Sequence, residues 1–175
     1  NRYGSTVISA FDYANDEIGR RTAISRSGTA FDTPVQDAYD YNTRSEVTSA
    51  RRTLASNPNQ EVRGFSYDYA FDGIGNRTSA TEYDHENNAR VSSYTANALN
   101  QYAQRTVPNE RDLIGTAPTN VAVTVNAEPA ARQSAYWHHA LEVDNATDAA
   151  YPQVAITAVY NPPGTNTPDM VASQT

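Results

Sequence analysis

Carboxylates and one histidine gather near segments expected to be turns, where they could offer oxygen and imidazole ligands to a metal ion. A calcium loop of the EF-hand type needs ligands at alternate positions, a central glycine and a terminal glutamate. The segment from Asp68 to Asn76 lacks that arrangement. The pattern favours solvent-facing carboxylates, some paired with arginine, and predicts no metal site. The residues considered are Asp12, Asp16, Asp68, Asp72, Asp84, His85 and Glu86.

Residues for hydrolytic chemistry are not arranged in any familiar pattern. The chain has no cysteine, and neither Gly-x-Ser-x-Gly nor His-Glu-x-x-His occurs. His138 and His139 are adjacent, so on a strand we expect one at the surface and the other beside Trp137 in a small core. A glycosidase needs only two carboxylates, but nothing singles out a pair among 20 acidic residues. We expect no enzymatic activity and no cofactor.

Composition favours a β-structure and restricts the partners. The chain has 12 tyrosines and 4 phenylalanines, which suit half-buried strands. All 13 basic residues are arginines, and the formal net charge of −7 disfavours nucleic acid as a partner. Mean hydropathy is −0.68, and no apolar run approaches the roughly 20 residues of a membrane-spanning helix.

An internal repeat is the most informative feature of the chain. The segment from Phe11 to Thr22 aligns without gaps on the segment from Tyr67 to Thr78. Two weaker copies begin at Tyr39 and Tyr94, so the period is a few tens of residues, which is typical of stacked supersecondary units. The identical pairs are Asp12/Asp68, Tyr13/Tyr69, Ala14/Ala70, Asp16/Asp72, Ile18/Ile74, Gly19/Gly75, Arg21/Arg77 and Thr22/Thr78.

Each repeat is predicted to be a β-hairpin. Phe65, Tyr67, Tyr69 and Phe71 alternate with smaller or polar residues, which indicates a half-buried strand with an aromatic inner face. The turn at 73–76 leads to a second strand that begins with an arginine. We expect Gly19 and Gly75 at the turns with positive φ, Arg21 and Arg77 after them, and Tyr13, Tyr41, Tyr69 and Tyr94 at equivalent inward positions.

This combination of aromatic-Asp-Tyr, a short spacer, Gly, a polar residue and Arg-Thr resembles the YD repeat of RHS and teneurin-type proteins. The resemblance covers residues 1–109, although Ser45 and Asn100 stand where the second and fourth repeats should carry the turn glycine. It implies a long β-sheet that spirals into a hollow shell, in a large secreted or cell-surface protein, here as a fragment of a larger bacterial chain. The Asp-Pro of the self-cleavage region found in many RHS proteins does not occur.

Beyond residue 109 the repeat pattern does not recur. We expect a linker at 110–119, a small accessory, β-sandwich-like domain at 120–160, and a polar tail at 161–175 that could add a strand to a neighbour. The strands of this domain are expected at 120–126, 135–143 and 154–160, the first with Val121, Val123 and Val125 alternating. The chain is thus predicted to be all-β, with stacked hairpins in a solenoid-like sheet followed by this small domain.

Two sequons, at Asn76 and Asn145, make these asparagines candidate acceptors for N-glycosylation, although a plain turn asparagine is the favoured interpretation. The main functional hypothesis is a secreted or surface structural module that associates through its sheet edges with copies of itself or with the rest of a parent chain. The alternatives are a carbohydrate-binding module, a piece of a toxin-enclosing shell, and, least favoured, a hydrolase. For the repeat tyrosines, packing within the sheet is preferred to sugar binding as the explanation.

Overall fold

The computed structural model describes residues 1–84, 88–144 and 148–160, together with the backbone of 169–174. Every regular element in these residues is a β-strand, and every strand pair is antiparallel, so the predicted all-β class is confirmed. The chain divides into two compact units, Asn1–Pro108 and Asn109–Thr175.

The first unit is a meander of eight strands in sequence order, preceded by a short two-stranded hairpin. Each strand pairs with its neighbours in the chain, so the sheet is open and ends at β3 on one side and at β10 on the other. The strands are β1 Arg2–Tyr3, β2 Thr6–Val7, β3 Ala10–Asn15, β4 Arg21–Ser27, β5 Val35–Tyr41, β6 Val47–Leu54, β7 Asn57–Phe71, β8 Arg77–Tyr83, β9 Ala89–Ala96 and β10 Tyr102–Arg105.

The strand register decides which side chains share a face, because residues directly opposite each other point the same way. Tyr39 on β5 lies opposite Ala50 on β6, which lies opposite Tyr67 on β7. Following such pairs across the sheet places nearly all of its aromatic side chains on one side. This aromatic face carries Phe11, Tyr13, Tyr39, Tyr41, Tyr67, Tyr69, Phe71, Tyr94 and Tyr102.

The second unit contains two sheets, β11-β15-β14 and β13-β12-β16-β17. The three strands expected at 120–126, 135–143 and 154–160 are confirmed as β12, β15 and β16. The expected linker at 110–119 is wrong, because β11 pairs with β15 over its whole length and belongs to the sheet. The strands are β11 Glu110–Thr116, β12 Val121–Val125, β13 Glu128–Pro129, β14 Ala131–Gln133, β15 Tyr136–Glu142, β16 Ile156–Tyr160 and β17 Asp169–Gln174.

The tail at 161–175 is also different from the expectation. Its residues Asp169–Gln174 form β17, which pairs with β16 of the same chain rather than being left for a neighbour. A strand that pairs in this way gains backbone hydrogen bonds within its own unit.

Both sheets of the second unit contribute to one core cluster. The alternating Val121, Val123 and Val125 are all buried, and Trp137 of β15 packs with them. Gly115 lies opposite Trp137 in the register, and a β-carbon there would come within 2.6 Å of the indole ring. The missing side chain of Gly115 is therefore what makes room for the single tryptophan.

Candidate functional site

The four repeat hairpins of the first unit, β3-β4, β5-β6, β7-β8 and β9-β10, close with the same turn. In the first, Asp16 Oδ1 accepts hydrogen bonds from the backbone N–H groups of Ile18 and Arg20, at 3.1 and 2.8 Å. The backbone N–H of Gly19 donates to the Asp16 carbonyl at 3.0 Å. The same three bonds recur around Asn42, Asp72 and Asn97. An Asp or Asn side chain that bonds the amide two residues on is a recognised way to fix a turn.

The fourth residue of every turn has positive φ. Gly19 and Gly75 have φ of +86° and +95°, so the prediction for both glycines is confirmed. Ser45 and Asn100 have φ of +66° and +60°, in the left-handed region that a side chain disfavours. The two departures from the repeat therefore leave the backbone of the turn unchanged.

Successive turns are bonded to one another along one end of the sheet. Arg20 Nη1 donates to the Asn42 carbonyl at 3.1 Å, and Arg44 Nη2 donates to the Asp72 carbonyl at 2.5 Å. Asn76 Nδ2 reaches Asn100 Oδ1 at 3.4 Å. Each turn thus contacts the next, which ties neighbouring hairpins together outside the strand ladder.

The carboxylates of these turns ionise more readily than usual. The side-chain hydrogen bond from Asn76 lowers the pKa of Asp72, assisted by backbone N–H donors. Hydrogen bonds from Asn42 and Arg44 lower the pKa of Glu46. Desolvation opposes ionisation of Asp16, but hydrogen bonds from Arg20 outweigh it and lower the pKa of Asp16. Asp16 and Asp72 therefore stabilise the turns through these hydrogen bonds.

The repeat tyrosines share a face, but the second one was assigned to the wrong position. Counted back from the first residue of each turn, the tyrosine at the third position is Tyr13, Tyr39, Tyr69 and Tyr94. Tyr41 also lies on the aromatic face, two residues nearer to its turn. The Asp-Tyr dipeptide of the second repeat is Asp40-Tyr41, which lies two residues nearer to its turn than the Asp-Tyr dipeptides of the first and third repeats do. The face is not sealed within this unit, since Tyr13 is 56% exposed.

Arginines of the repeat lie over these tyrosine rings. The guanidinium carbon of Arg21 is 4.1 Å from the centre of the Tyr13 ring, and that of Arg77 is 4.7 Å from the Tyr69 ring. Both distances are within the range of cation–π attraction. The motif arginines therefore pack on the motif tyrosines of the same hairpin.

Charge is divided between the two faces of the sheet. Among the paired residues of β3 to β10, the aromatic face carries six arginines and two carboxylates, whereas the opposite face carries one arginine and four carboxylates. The aromatic face is locally basic although the whole chain has a formal net charge of −7. Its charged residues are Arg21, Arg26, Arg52, Arg77, Arg90, Arg105, Asp37 and Glu82; those of the opposite face are Asp12, Asp40, Arg51, Glu61 and Asp68.

A small cavity opens on the aromatic face near Asp37. This carboxylate is buried and lies between two arginines, 2.5 Å from Arg26 Nη1 and 2.7 Å from Arg52 Nε. The cavity has a volume of about 180 Å³. Besides these three residues it is lined by Tyr39, Ala50, Arg51, Phe65 and Tyr67. Burial and then the nearby Asp37 charge raise the pKa of Tyr39, so its hydroxyl stays protonated at neutral pH.

A second polar cluster lies on the opposite face. Arg51 Nη2 is 2.6 Å from Asp68 Oδ1, and the Tyr83 hydroxyl donates to Asp68 Oδ2 at 2.6 Å. That hydrogen bond raises the pKa of Tyr83. Asp68 thus serves as an acceptor that joins β6, β7 and β8.

The side chains of His138 and His139 lie on opposite faces of β15, as expected for adjacent residues of a strand. The sequence predicts one histidine at the surface and one beside Trp137, but His138 is in neither place. His138 is 1% exposed, lies on the face opposite Trp137, and contacts Asp112 through Nε2 at 2.6 Å. His139 shares the side of Trp137 and is half-buried. The carboxylate of Asp112 satisfies the Nε2 of this buried histidine.

Among the other candidate residues, Asn76 uses its side chain for a hydrogen bond within its own turn. Its amide nitrogen, the atom that would carry a glycan, donates to Asp72 Oδ2 at 2.8 Å. Glycosylation there would have to break this bond. Asn145, His85 and Glu86 lie outside the described residues. In the described part of the chain, no group of three or more potential metal ligands is assembled, and no helix could cross a membrane.

Comparison of the chain with known protein families and with curated proteins found no match for either.

Proposed function

We propose that the chain is a structural module of a secreted or cell-surface protein of the YD-repeat kind, with no enzymatic activity of its own. In this proposal the hairpins are consecutive units of a solenoid-like sheet, and the second unit is a small β-sandwich-like domain. The support is the repetition of one turn geometry four times, with bonds that pass from turn to turn. A unit that is bonded to its neighbours in this way is suited to extension by addition of further units.

The observation that carries the proposal is the open state of both sheet edges. Among the described residues, β3 and β10 each pair on one side only. Large aromatic side chains are exposed at these edges: Phe11 is 47% exposed and Tyr102 is 53% exposed. An edge strand presents unpaired N–H and C=O groups that template another strand. Few charges blunt either edge, since Arg105 is the only charged residue of β10 and Asp12 the only one of β3.

The two edge strands are the first strand of the first hairpin, β3, and the second strand of the last hairpin, β10. Within the unit, the second strand of each hairpin pairs with the first strand of the next, as β4 does with β5 and β8 with β9. Pairing of β10 with β3 of another copy, or with a further hairpin of a longer parent chain, would continue that order. Contact between different surfaces of identical copies is heterologous, so it makes rings or open filaments rather than two-fold dimers. A toxin-enclosing shell is the same arrangement closed within one parent chain.

Proline at an outward-facing backbone position tests the proposal. The Asp16 N–H donates inward to the Arg20 carbonyl at 2.9 Å, so alternation along β3 directs the Asn15 N–H outward. In Asn15→Pro one edge donor is removed and the approaching strand is obstructed, whereas Asn15→Ala removes the same side chain and keeps the donor.

Light scattering coupled to size exclusion, over a wide range of concentration, measures the outcome. We expect the unmodified chain and Asn15→Ala to form concentration-dependent assemblies, and Asn15→Pro to shift them towards monomer. A folded monomer at every concentration, or equal assembly of the two variants, contradicts association through β3.

A further inference from the structure

We call the cavity on the aromatic face the slot, because a tyrosine stands on either side of it. Tyr39 and Tyr67 stand two strands apart, with the small side chain of Ala50 between them as the floor. Neighbouring strands are about 4.7–4.9 Å apart, so the walls are roughly 9–10 Å apart at the backbone. A ring that contacts both walls at about 3.5–4.0 Å each needs roughly 7–8 Å, which this spacing provides.

The walls and the volume restrict the occupant further. The Tyr67 hydroxyl donates to the Gly64 carbonyl at 3.0 Å, and the Tyr67 ring lies parallel to that of Tyr69 with 6.4 Å between their centres. One wall is therefore held in place without a ligand. A volume of about 180 Å³ is below the roughly 300–1,000 Å³ of sites that enclose a drug-sized molecule, so the slot takes one ring of a larger molecule.

One end of the slot is positively charged. Arg26 and Arg52 both contact the single carboxylate of Asp37, so these three side chains together carry a formal charge of +1. Arg26 contacts Asp37 through Nη1, and its guanidinium makes no further hydrogen bond or ion pair within the part of the chain that the structure describes. Because a guanidinium binds a carboxylate through two parallel N–H donors, the unused donors of Arg26 suit a second, external carboxylate.

We propose that this slot binds a hexuronic acid unit of an acidic polysaccharide, with the sugar ring between Tyr39 and Tyr67 and its carboxylate on Arg26. Aromatic walls suit the apolar faces of a sugar ring, and the tyrosine hydroxyls and arginines bond its hydroxyl groups. The basic aromatic face attracts the negative charge of the sugar. Nucleic acid also combines rings with negative charge, but it carries one charge per phosphate along its whole length, which the formal net charge of −7 opposes.

Calorimetric titration of the full chain with trigalacturonic acid, the neutral galactotriose and a short oligothymidylate tests the ligand class. We expect heat of binding with the acidic trisaccharide and much weaker binding of the other two. Equal binding of the neutral sugar, no binding of trigalacturonic acid, or tighter binding of the oligothymidylate overturns the proposal, and the last result assigns the slot to nucleic acid.

Two pairs of variants separate this slot from general attraction by the face. Arg26→Gln removes the anchoring charge while Arg52 still holds Asp37, and Arg105→Gln makes the same change of charge on the same face at β10. We expect about a tenfold loss of affinity in Arg26→Gln, the usual size of a lost charge-assisted contact, and little change in Arg105→Gln. Equal losses in the two variants overturn the proposal.

The second pair tests the shape independently of charge. Ala50→Leu fills the floor of the slot, whereas Ala70→Leu adds the same side chain to an exposed position on the opposite face. Binding of trigalacturonic acid should be abolished in Ala50→Leu and retained in Ala70→Leu, with far-ultraviolet circular dichroism showing that both variants are folded. Retained binding in a folded Ala50→Leu variant refutes the slot.

Discussion

Replacing Ser45 by glycine should stabilise the first unit. Ser45 is exposed and has φ of +66° in a turn whose counterparts in two other hairpins are glycines. The left-handed conformation costs a residue with a side chain roughly 1–2 kcal/mol. Glycine avoids that cost but loses about 0.5–1 kcal/mol through the greater freedom of the unfolded chain. The side-chain hydrogen bond given up is a long one, 3.4 Å from Arg20 Nη1 to the Ser45 hydroxyl.

The difference is a gain of about 0–1.5 kcal/mol, with a central value of about 0.75 kcal/mol, in the free energy of unfolding of this unit. For a unit of this size, 1 kcal/mol corresponds to roughly 4–8 °C in Tm. Urea denaturation followed by far-ultraviolet circular dichroism measures the gain. The single tryptophan, Trp137, lies in the second unit, and its fluorescence should not shift.

Thr43→Gly is the matched control, because it places glycine in the same turn at a position without positive φ. It should destabilise the unit by about 0.5–1 kcal/mol. If Ser45→Gly destabilises the unit as Thr43→Gly does, the assignment of backbone strain to Ser45 is refuted.

Two further predictions concern the second unit and acid pH. Gly115→Ala should destabilise the second unit and change its tryptophan emission, because the added carbon would lie 2.6 Å from the Trp137 ring; an unchanged emission and midpoint would contradict this. The lowered pKa of Asp72 gives stability that is present above its unfolded pKa of 3.8 and is lost as the pH falls through the still lower folded value. Asp72→Asn should keep the turn, as Asn42 does in the second hairpin. The free energy of unfolding measured with urea should then depend less on pH below about pH 4; an unchanged dependence would show that other groups cause it.

Local sequence patterns were sufficient for the hairpins and insufficient for the contacts between distant strands. Period-two alternation and turn residues are properties of a few consecutive positions, so the strands around Tyr69 and the positive φ of Gly75 could be predicted. The prediction of a linker is wrong because β11 is defined by its partner β15, twenty or more residues away in the chain. The clamp on Asp37 depends on the register that puts it opposite Arg52, and no short-range signal reports that register.

Each of the four repeat hairpins has one extra residue shortly after its turn, at the position of the motif threonine. In the first hairpin, Ala14 and Asn15 lie opposite Ala23 and Arg21, so Thr22 is an extra residue in β4. In the third, Thr78 is skipped in the same way, and Thr48 and Ala103 occupy this position in the other two. One residue without a direct partner on the facing strand is a β-bulge.

The bulge changes which face the arginine occupies. Arg21 and Ile24 are three residues apart, so strict alternation would put them on opposite faces. Because Thr22 is extra, both lie on the aromatic face, and Arg21 comes to rest over Tyr13. The same shift brings Arg77 over Tyr69. In the first and third hairpins the tyrosine, the turn and the arginine are therefore linked: the turn reverses the chain, and the bulge at the next residue but one places a guanidinium over the tyrosine ring.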